Sequence, residues 1–458
     1  MPNGLSPKMS FITELSGKNC LVLGAGVTGR AVHNALLKFK ATSKIFDEKV
    51  SPDAEVVNEI PSGVNLVVVS PGWRLDHPVI VKLKSTGALI LSEIDLAWQI
   101  KQVLAPNQKW IALTGTNGKT TTIQMLESIF KSAKTNGVAC GNVGQTVIES
   151  VCADRPFDYL AIELSSFQIQ WSDLPRYQAV AILNIAEDHI DWHASFENYA
   201  AAKLKLLTHS DKLILNKSDQ EITRRIKKDE VIWFSLATPA PGEIGVVENL
   251  LIDRAFSSSD SEANEIAELS DITPAVPHNI SNALAAAALA LSIGIKYEFI
   301  KNGLKNFSAD HHRMELVVSK NEINWIDDSK ATNPHAAIAS LLSNFKIIWI
   351  AGGLAKGASM GELVLRCANR IKAVILIGQD REIIATAFMQ HAKGVEIIRV
   401  DQVGDARTLM SDVVKAAKKL AQPGDTVLLA PACASMDQFD SYSQRGQLFA
   451  QAVKEELL

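Results

Sequence analysis

The chain has 458 residues, 47% of them hydrophobic and 21% charged, with a formal net charge of -4. Such a length suits roughly three domains of ordinary size, each with ample core, which excludes a disordered or fibrous chain. The acidic balance, with a pI near 6.2, gives no footprint for nucleic acid, so small molecules are the expected partners.

Cys20, Cys140, Cys152, Cys367 and Cys433 are scattered and form no CxxC pair, so neither disulfides nor a structural zinc are expected. No basic segment followed by an apolar one opens the chain, and the longest apolar run, "ALAAAALAL" from Ala283, is too short to span a bilayer. A cytoplasmic monomer with no membrane partner is the expectation. The early lysines and Pro7 suggest a loose tail over residues 1 to about 10.

Short apolar runs recur along the chain, each ending in Gly, Ser, Asn or Asp and followed by a helical pattern, from "NCLVLGAG" to "TVLLAPACAS". Alternation of this kind predicts an α/β protein with parallel sheets, whose ligands bind beyond the carboxyl ends of strands. The Pro/Asn turn in "LAPNQK" and the polar break in "KNFSADHH" place boundaries near residues 106 and 309, giving domains 1–106, 107–309 and 310–458. Residues 237–278, rich in Pro, Ser and acidic groups, read as loops with short β segments.

In the first domain, "LVLGAGVTG" sets Gly24, Gly26 and Gly29 in GxGxxG spacing after a predicted strand, and "SKIFDEK" ends a second strand at Asp47. Taken alone this pattern points to a dinucleotide such as NAD(P); glycines serving only a tight turn and close packing are the alternative.

In the second, Trp110–Leu113 reads as a buried strand, and Ile123, Leu126, Phe130 and Ala133 fall at helical spacing. "GTNGKT" therefore lies on a strand-to-helix turn, the setting of a phosphate loop, although Leu113 stands where the opening glycine of the usual length would fall. In such a loop the backbone N–H groups of Gly115, Thr116, Asn117 and Gly118 cradle phosphates, Lys119 meets the transferred group, and Thr120 holds Mg²⁺. A glycine-rich turn with a surface lysine is the alternative. Downstream, "YLAIELSSFQ" places Glu163, and "AVAILNIAEDHIDWH" places Asp188 and His189, just past strands of the same expected sheet. A carboxylate and an imidazole beside a triphosphate suit Mg²⁺; helix capping and ordinary loop roles are the alternatives. Lys203 in "NYAAAKLKLL" reads from its residue chemistry as a solvated helix lysine, Asn142 in "GNVG" as a turn asparagine or a ligand contact, and Asn279 and Asn282 as neighbours on one helix face.

In the third, "HHRMELV" offers His312 and Arg313, "INWIDDSKATNP" puts Asp328, Ser329, Lys330, Thr332 and Asn333 just past a strand, "AGGLAKG" adds Lys356, and "LLAPACASMDQF" adds Ser435 and Asp437. Five polar groups in six residues just past a strand favour ligand contact over a plain loop, and a surface ion pair is the alternative for Arg313. Cys433 and Met436 read as packing.

The shortened "GTNGKT" with Glu163, His189 and Lys203 behind it resembles the Mur ligase family, ATP-dependent amide ligases with a Rossmann-like N-terminal domain, a central P-loop ATPase-like parallel-sheet domain and a Rossmann-like α/β C-terminal domain. The resemblance implies ATP at Gly115–Thr121, Asn279, Asn282, Arg313 and Asp328, with Lys119 on the γ-phosphate. Two Mg²⁺ ions are implied on Thr120, Glu163, His189 and Lys203, the last carbamylated by CO₂. It moves the N-terminal glycine loop from NAD(P) to the UDP of a UDP-sugar, met by Thr28, Asp47, Ser70 and Gly72, with Asn142 and His189 towards the sugar. "DSKATN" and "ACASMDQF" further imply D-glutamate as the incoming amino acid, held by Lys330, Thr332, Lys356, Ser435 and Tyr442, and UDP-N-acetylmuramoyl-L-alanine as the acceptor, joined through an acyl phosphate. Lys119, His189 and Lys203 carry the catalytic roles in that scheme. Leu354 and Tyr442 stand where the family more often has a polar or acidic residue and a phenylalanine.

Overall fold

The computed structural model describes residues 7–50, 53, 55–227, 230–257, 259, 261–308 and 310–458. Residues 1–6 of the expected tail, and residue 309 at the second expected boundary, lie outside these. Pro7–Leu15 is helical rather than loose, with Leu15 fully buried; proline suits a first helical turn, where its missing N–H costs no intrahelical bond.

The chain divides into two compact units, 1–185 with 200–272 and 280–307, and 186–199 with 273–279 and 308–458. The first holds two sheets. One is five-stranded and parallel, in spatial order Val56–Val57, Thr42–Phe46, Asn19–Leu23, Leu66–Val69, Leu89–Ser92. Strand order reverses at Asn19–Leu23, so the turns after it and after Leu66–Val69 flank a crevice at the switch point. Leu21, Leu23, Val67 and Val69 point into a core closed by Ile80 and Leu83.

The second sheet has nine strands. Its centre is the row Ala179–Ile182, Lys109–Thr114, Tyr159–Glu163, all parallel, so the segments after residues 114, 163 and 182 emerge side by side. Lys109–Thr114 is buried except at its first residue, which is the run of apolar residues a parallel strand covered on both faces requires. Residues 237–278 contribute three short strands, Glu243–Val247, Leu250–Asp253 and Asn264–Glu268; the last two join antiparallel and extend the sheet at one edge.

The second unit carries a six-stranded sheet, parallel apart from its edge strand Glu315–Lys320. Ile323–Asp327, Thr426–Leu429 and Ile347–Gly352 are adjacent at its middle. The "DSKATN", "APACAS" and "GGLAKG" segments therefore all leave the same end of the sheet from neighbouring strands. Two buried clusters cover its faces, one around Trp349, Leu376 and Phe388, the other around Ile350, Val413 and Phe449. All five cysteines are free thiols, and no helix among the described residues is long and apolar enough to cross a membrane.

Candidate active site

The turn after Lys109–Thr114 leads into the helix Lys119–Ser132 through Gly118, whose φ of +83° is a left-handed conformation that favours glycine. A Cβ there would also lie 2.4 Å from Asn282 Oδ1, which places the Asn282 side chain against the loop. Ile123, Leu126 and Phe130 are buried as their spacing predicts, while Ala133 is only half-buried. The loop amides differ from the simple cradle expected. Thr116 N–H donates to the Asn184 carbonyl at 3.0 Å and Asn117 N–H to Asn184 Oδ1 at 2.8 Å, so two of the four expected donors turn towards the protein. Lys119 Nζ donates to the carbonyls of Gly115 and Thr116 at 2.8 and 3.0 Å.

Glu163 closes the neighbouring strand and is 1% exposed. Its Oε1 accepts from Asn142 Nδ2 at 2.9 Å, and its carbonyl accepts from Asn142 N–H at 3.0 Å. Gly141 makes that approach possible: its φ is +106°, and a Cβ would sit 2.5 Å from the Glu163 carbonyl oxygen. Glu163 Oε2 is buried with no hydrogen-bond partner among the described residues. An unpaired buried carboxylate oxygen is costly unless a cation or donor completes it. It is what a Mg²⁺ ligand at this position looks like, so the residues fit that ion.

Lys203 corrects the expectation from residue chemistry. It is 1% exposed, and its Nζ donates to the Gly115 carbonyl at 2.9 Å and lies 3.4 Å from Thr114 Oγ1. The helix Phe196–Leu204 thus sends its lysine inward, beneath the loop, because loop carbonyls are there to accept it.

In the five-stranded sheet, Asp47 binds back to the glycine turn: Oδ2 accepts from Ala25 N–H at 2.7 Å and Oδ1 from Lys49 N–H at 2.8 Å. Burial works to raise its pKa, but these backbone donors outweigh it and hold the carboxyl below its usual range. Gly24, at φ +102°, lets Ser70 approach; a Cβ would lie 2.8 Å from Ser70 Oγ. That hydroxyl is itself buried without a partner among the described residues. Thr28 is half-buried and Gly72 exposed at the same strand ends.

In the second unit, His189 begins a short helix from a left-handed φ of +52°. Its N–H donates to Asp188 Oδ1 at 3.0 Å, and its Nε2 lies 3.7 Å from Asp188 Oδ2. Asn279 Nδ2 donates to the Pro274 carbonyl at 3.2 Å. Asp328 is buried, accepting from Ser340 Oγ and from Met314 N–H; burial raises its pKa to about 6, against the pull of Ser340 and Arg313. Lys330 Nζ stands 3.7 Å from the centre of the Tyr442 ring, joining two residues expected to hold the amino acid. Thr332 and Lys356 are half-buried, Lys356 at a left-handed φ of +51°, and Ser435 is buried. Asp437 Oδ2 accepts from Gln379 N–H at 2.8 Å. Cys433 is packed as expected, but Met436 is 67% exposed and packs into no core. His312 Nδ1 and Asp327 Oδ2 are 2.6 Å apart, and Glu315 accepts from His312 N–H at 2.9 Å. These three could share an ion, but they already satisfy one another, and Gly446 packs so closely that a Cβ would lie 2.3 Å from His312 Nδ1.

Residues 113–290 match the Mur ligase middle domain, and residues 312–433 the Mur ligase glutamate ligase domain. The UDP-N-acetylmuramoylalanine--D-glutamate ligase of Thermobifida fusca is 44% identical over 96% of this chain and 99% of its own. That of Streptomyces coelicolor is 40% identical over 97% and 99%. The chain belongs to the Mur ligase family. Solved structures agree on the Mur ligase fold: a pseudomurein peptide ligase type C from Methanothermus fervidus aligns with a TM-score of 0.62 at 18% identity, over 96% of this chain and 100% of its own. A UDP-N-acetylmuramate-alanine ligase from Thermotoga maritima aligns at 0.57 and 17%, over 96% and 99%.

Within this Mur ligase, two site residues escaped sequence reasoning. Asn184 lies in "AILNIAEDH", two residues past its strand, and its position after a strand end was the available signal. Arg445 had none. It is 0% exposed, and donates to Ser329 Oγ and O at 2.9 Å each and to the Cys433 carbonyl at 3.2 Å, tying the "DSKATN" loop to the "ACAS" loop. Burial lowers its pKa to about 10, so it stays a cation at neutral pH.

Proposed function

We propose that the chain is an ATP-dependent ligase that joins D-glutamate to the L-alanyl carboxylate of UDP-N-acetylmuramoyl-L-alanine, releasing ADP and phosphate, in the synthesis of peptidoglycan precursors. The observation that carries this reading is 44% identity, over 96% of this chain and 99% of the relative, to a ligase of that name. It acts as a cytoplasmic monomer, with domains at 1–106, 107–309 and 310–458.

An L-alanyl carboxylate oxygen attacks the γ-phosphorus of ATP; the bond to the β,γ-bridging oxygen breaks and ADP leaves. The amine of D-glutamate then attacks the acyl carbon, and the tetrahedral intermediate expels phosphate as the nitrogen loses its proton. Such transfers depend on positioning and charge neutralisation more than on covalent help from the protein. Lys119 turns from its loop carbonyls onto the γ-phosphate, while Gly115, Gly118, Thr120 and Thr121 seat the phosphates at a helix start, with Thr116 and Asn117 shaping the loop behind them. Thr120 and Glu163 would hold one Mg²⁺, and His189 and a carbamylated Lys203 would serve a second; the chemistry such ions would supply is neutralisation of phosphate charge. Asn279, Asn282, Arg313 and Asp328 bind ATP; Thr28, Asp47, Ser70, Gly72 and Asn142 hold the UDP-sugar, with His189 also towards the sugar. Lys330, Thr332, Lys356, Ser435 and Tyr442 take the D-glutamate, whose two carboxylates call for cations and hydroxyl donors.

The test is phosphate release from ATP and Mg²⁺ with UDP-N-acetylmuramoyl-L-alanine, run with D-glutamate, L-glutamate, L-alanine and a diamino acid in parallel. Release dependent on D-glutamate alone is expected. Release with another amino acid instead would overturn the substrate, and silence with all four would overturn the ligase reading.

A further inference from the structure

The phosphate loop lacks the opening glycine of the longer form, and its Gly-Thr-Asn-Gly run has little intrinsic reason to hold one shape. Asn184 supplies what the loop lacks. It follows Ala179–Ile182, the strand paired in parallel beside the one that feeds the loop. Its side-chain amide pairs in both directions with the same residue, accepting from Asn117 N–H at 2.8 Å and donating to the Asn117 carbonyl at 3.0 Å. Its own carbonyl takes Thr116 N–H at 3.0 Å.

The support is itself anchored on both sides. Asn216 Nδ2 donates to the Leu183 carbonyl, and Ile185 N–H donates to Asp219 Oδ2, each at 2.9 Å. Leu183 packs under the loop: a Cβ on Gly115 would meet Leu183 Cβ at 3.0 Å. With the Thr116 and Asn117 amides turned inward, phosphate recognition falls to the start of the helix Lys119–Ser132, whose first-turn N–H groups point out of the helix. The direction of that helix start depends on how the residue 117 backbone is held.

We infer that Asn184 is a positioning residue for nucleotide binding, its two-way amide pairing with Asn117 replacing the missing glycine arch and setting the phosphate-binding geometry of the loop. The inference rests on the ATP reading above. An amide of this size offers its donor and its acceptor on two separate atoms, so it can pair with an N–H and a C=O of one backbone segment at once. Leucine offers neither, and ionised aspartate keeps the acceptor but sets a negative oxygen against the Asn117 carbonyl.

The test compares the wild-type enzyme with Asn184→Leu and Asn184→Asp in the phosphate-release assay, with melting temperatures measured alongside. Asn184→Leu is expected to raise KM for ATP about tenfold, the scale of losing one to two neutral hydrogen bonds, and Asn184→Asp more. KM for the UDP-sugar and for D-glutamate should stay within about twofold of wild type, a split that a general loss of structure would not give. An unchanged KM for ATP in both folded variants, or an equal rise for all three substrates, would sink the inference. A wild-type chain without ATP-dependent release would instead sink the reading beneath it. If neither variant folds, hydrogen–deuterium exchange on the nucleotide-free wild type decides: Thr116 and Asn117 amides should be protected, and exchange at the rate of an open loop would overturn the clamp.

Discussion

The ammonium groups of Lys119 and Lys203 meet on one acceptor: both donate to the Gly115 carbonyl oxygen, at 2.8 and 2.9 Å. Two cations on one neutral oxygen repel, and the burial of Lys203 leaves little water to screen them. Converting Lys203 to a carbamate would turn that repulsion into attraction and put an anion under the loop. The expected outcome is a carbamate carbon signal after incubation with ¹³C-bicarbonate, lost in Lys203→Met, a substitution that keeps the length of the buried chain. An identical spectrum in both proteins would remove the modification from the mechanism.

Lys119→Ala should lower phosphate release by about 10³-fold, the scale at which one charge-stabilising group acts in such transfers. The UDP-sugar should bind as before, since its expected contacts lie at other strand ends. Titration of the UDP-sugar into the variant separates the two effects; turnover near the wild-type rate would remove Lys119 from the chemistry.

Asn142 donates to Glu163 Oε1, and Oε2 has no hydrogen-bond partner among the described residues, so in the proposed site Asn142 orients a carboxylate that would face Mg²⁺. Removing a group that orients a metal ligand commonly costs about 10–100-fold in metal affinity or activity. Asn142→Ala should therefore raise the Mg²⁺ concentration for half-maximal rate by about tenfold, and Glu163→Gln should cost more, having lost the anion. Mg²⁺ dependence of the rate at saturating ATP distinguishes these from a defect in nucleotide binding.

The strand-to-helix turn at Gly115–Gly118 and the strand-end position of Glu163 were legible in the sequence because both are local: a buried strand, a glycine turn, and a polar residue where the strand ends. Lys203 and Arg445 were not, because their acceptors lie far along the chain. Lys203 reaches Gly115 across 88 residues and Arg445 reaches Ser329 across 116, and no helical pattern tells an inward lysine in "NYAAAKLKLL" from an outward one. The helix Pro7–Leu15 was missed because its sequence carries only a weak apolar stripe, and so short a segment gives little helical signal of its own.

The structure gives the ring of Tyr442 a task that phenylalanine can also perform. Lys330 Nζ lies over it at 3.7 Å, a cation–π contact worth about 0.5–2 kcal/mol. Such a contact holds the ammonium at the loop instead of leaving it to wander. Tyr442→Phe should leave KM for D-glutamate unchanged, whereas Tyr442→Ala should raise it about threefold to tenfold with little change in KM for ATP. Equal effects of the two substitutions would point to the hydroxyl rather than the ring face.

Glu93 gives the first unit a stability that depends on pH. It is 3% exposed at the start of the helix Glu93–Leu104, and Oε1 accepts from Ile148 N–H at 2.7 Å. Burial nevertheless raises its pKa from 4.5 to about 7, outweighing the backbone donors at Ile148 and Val147. The folded pKa lies above the unfolded one, so the folded state binds the proton more tightly, and stability falls as pH rises from about 4.5 to about 7. Above that window the cost of a buried charge is fully present, at most about 3 kcal/mol; below it the cost is absent. Glu93→Gln keeps the acceptor for Ile148 and cannot ionise. It should raise the melting temperature by several degrees at pH 8 and by little or nothing at pH 5. Because wild type and variant share every other titrating group, the difference between them isolates this one carboxyl, and a gain that is the same at both pH values would show that Glu93 is ionised throughout or that the substitution acts through packing.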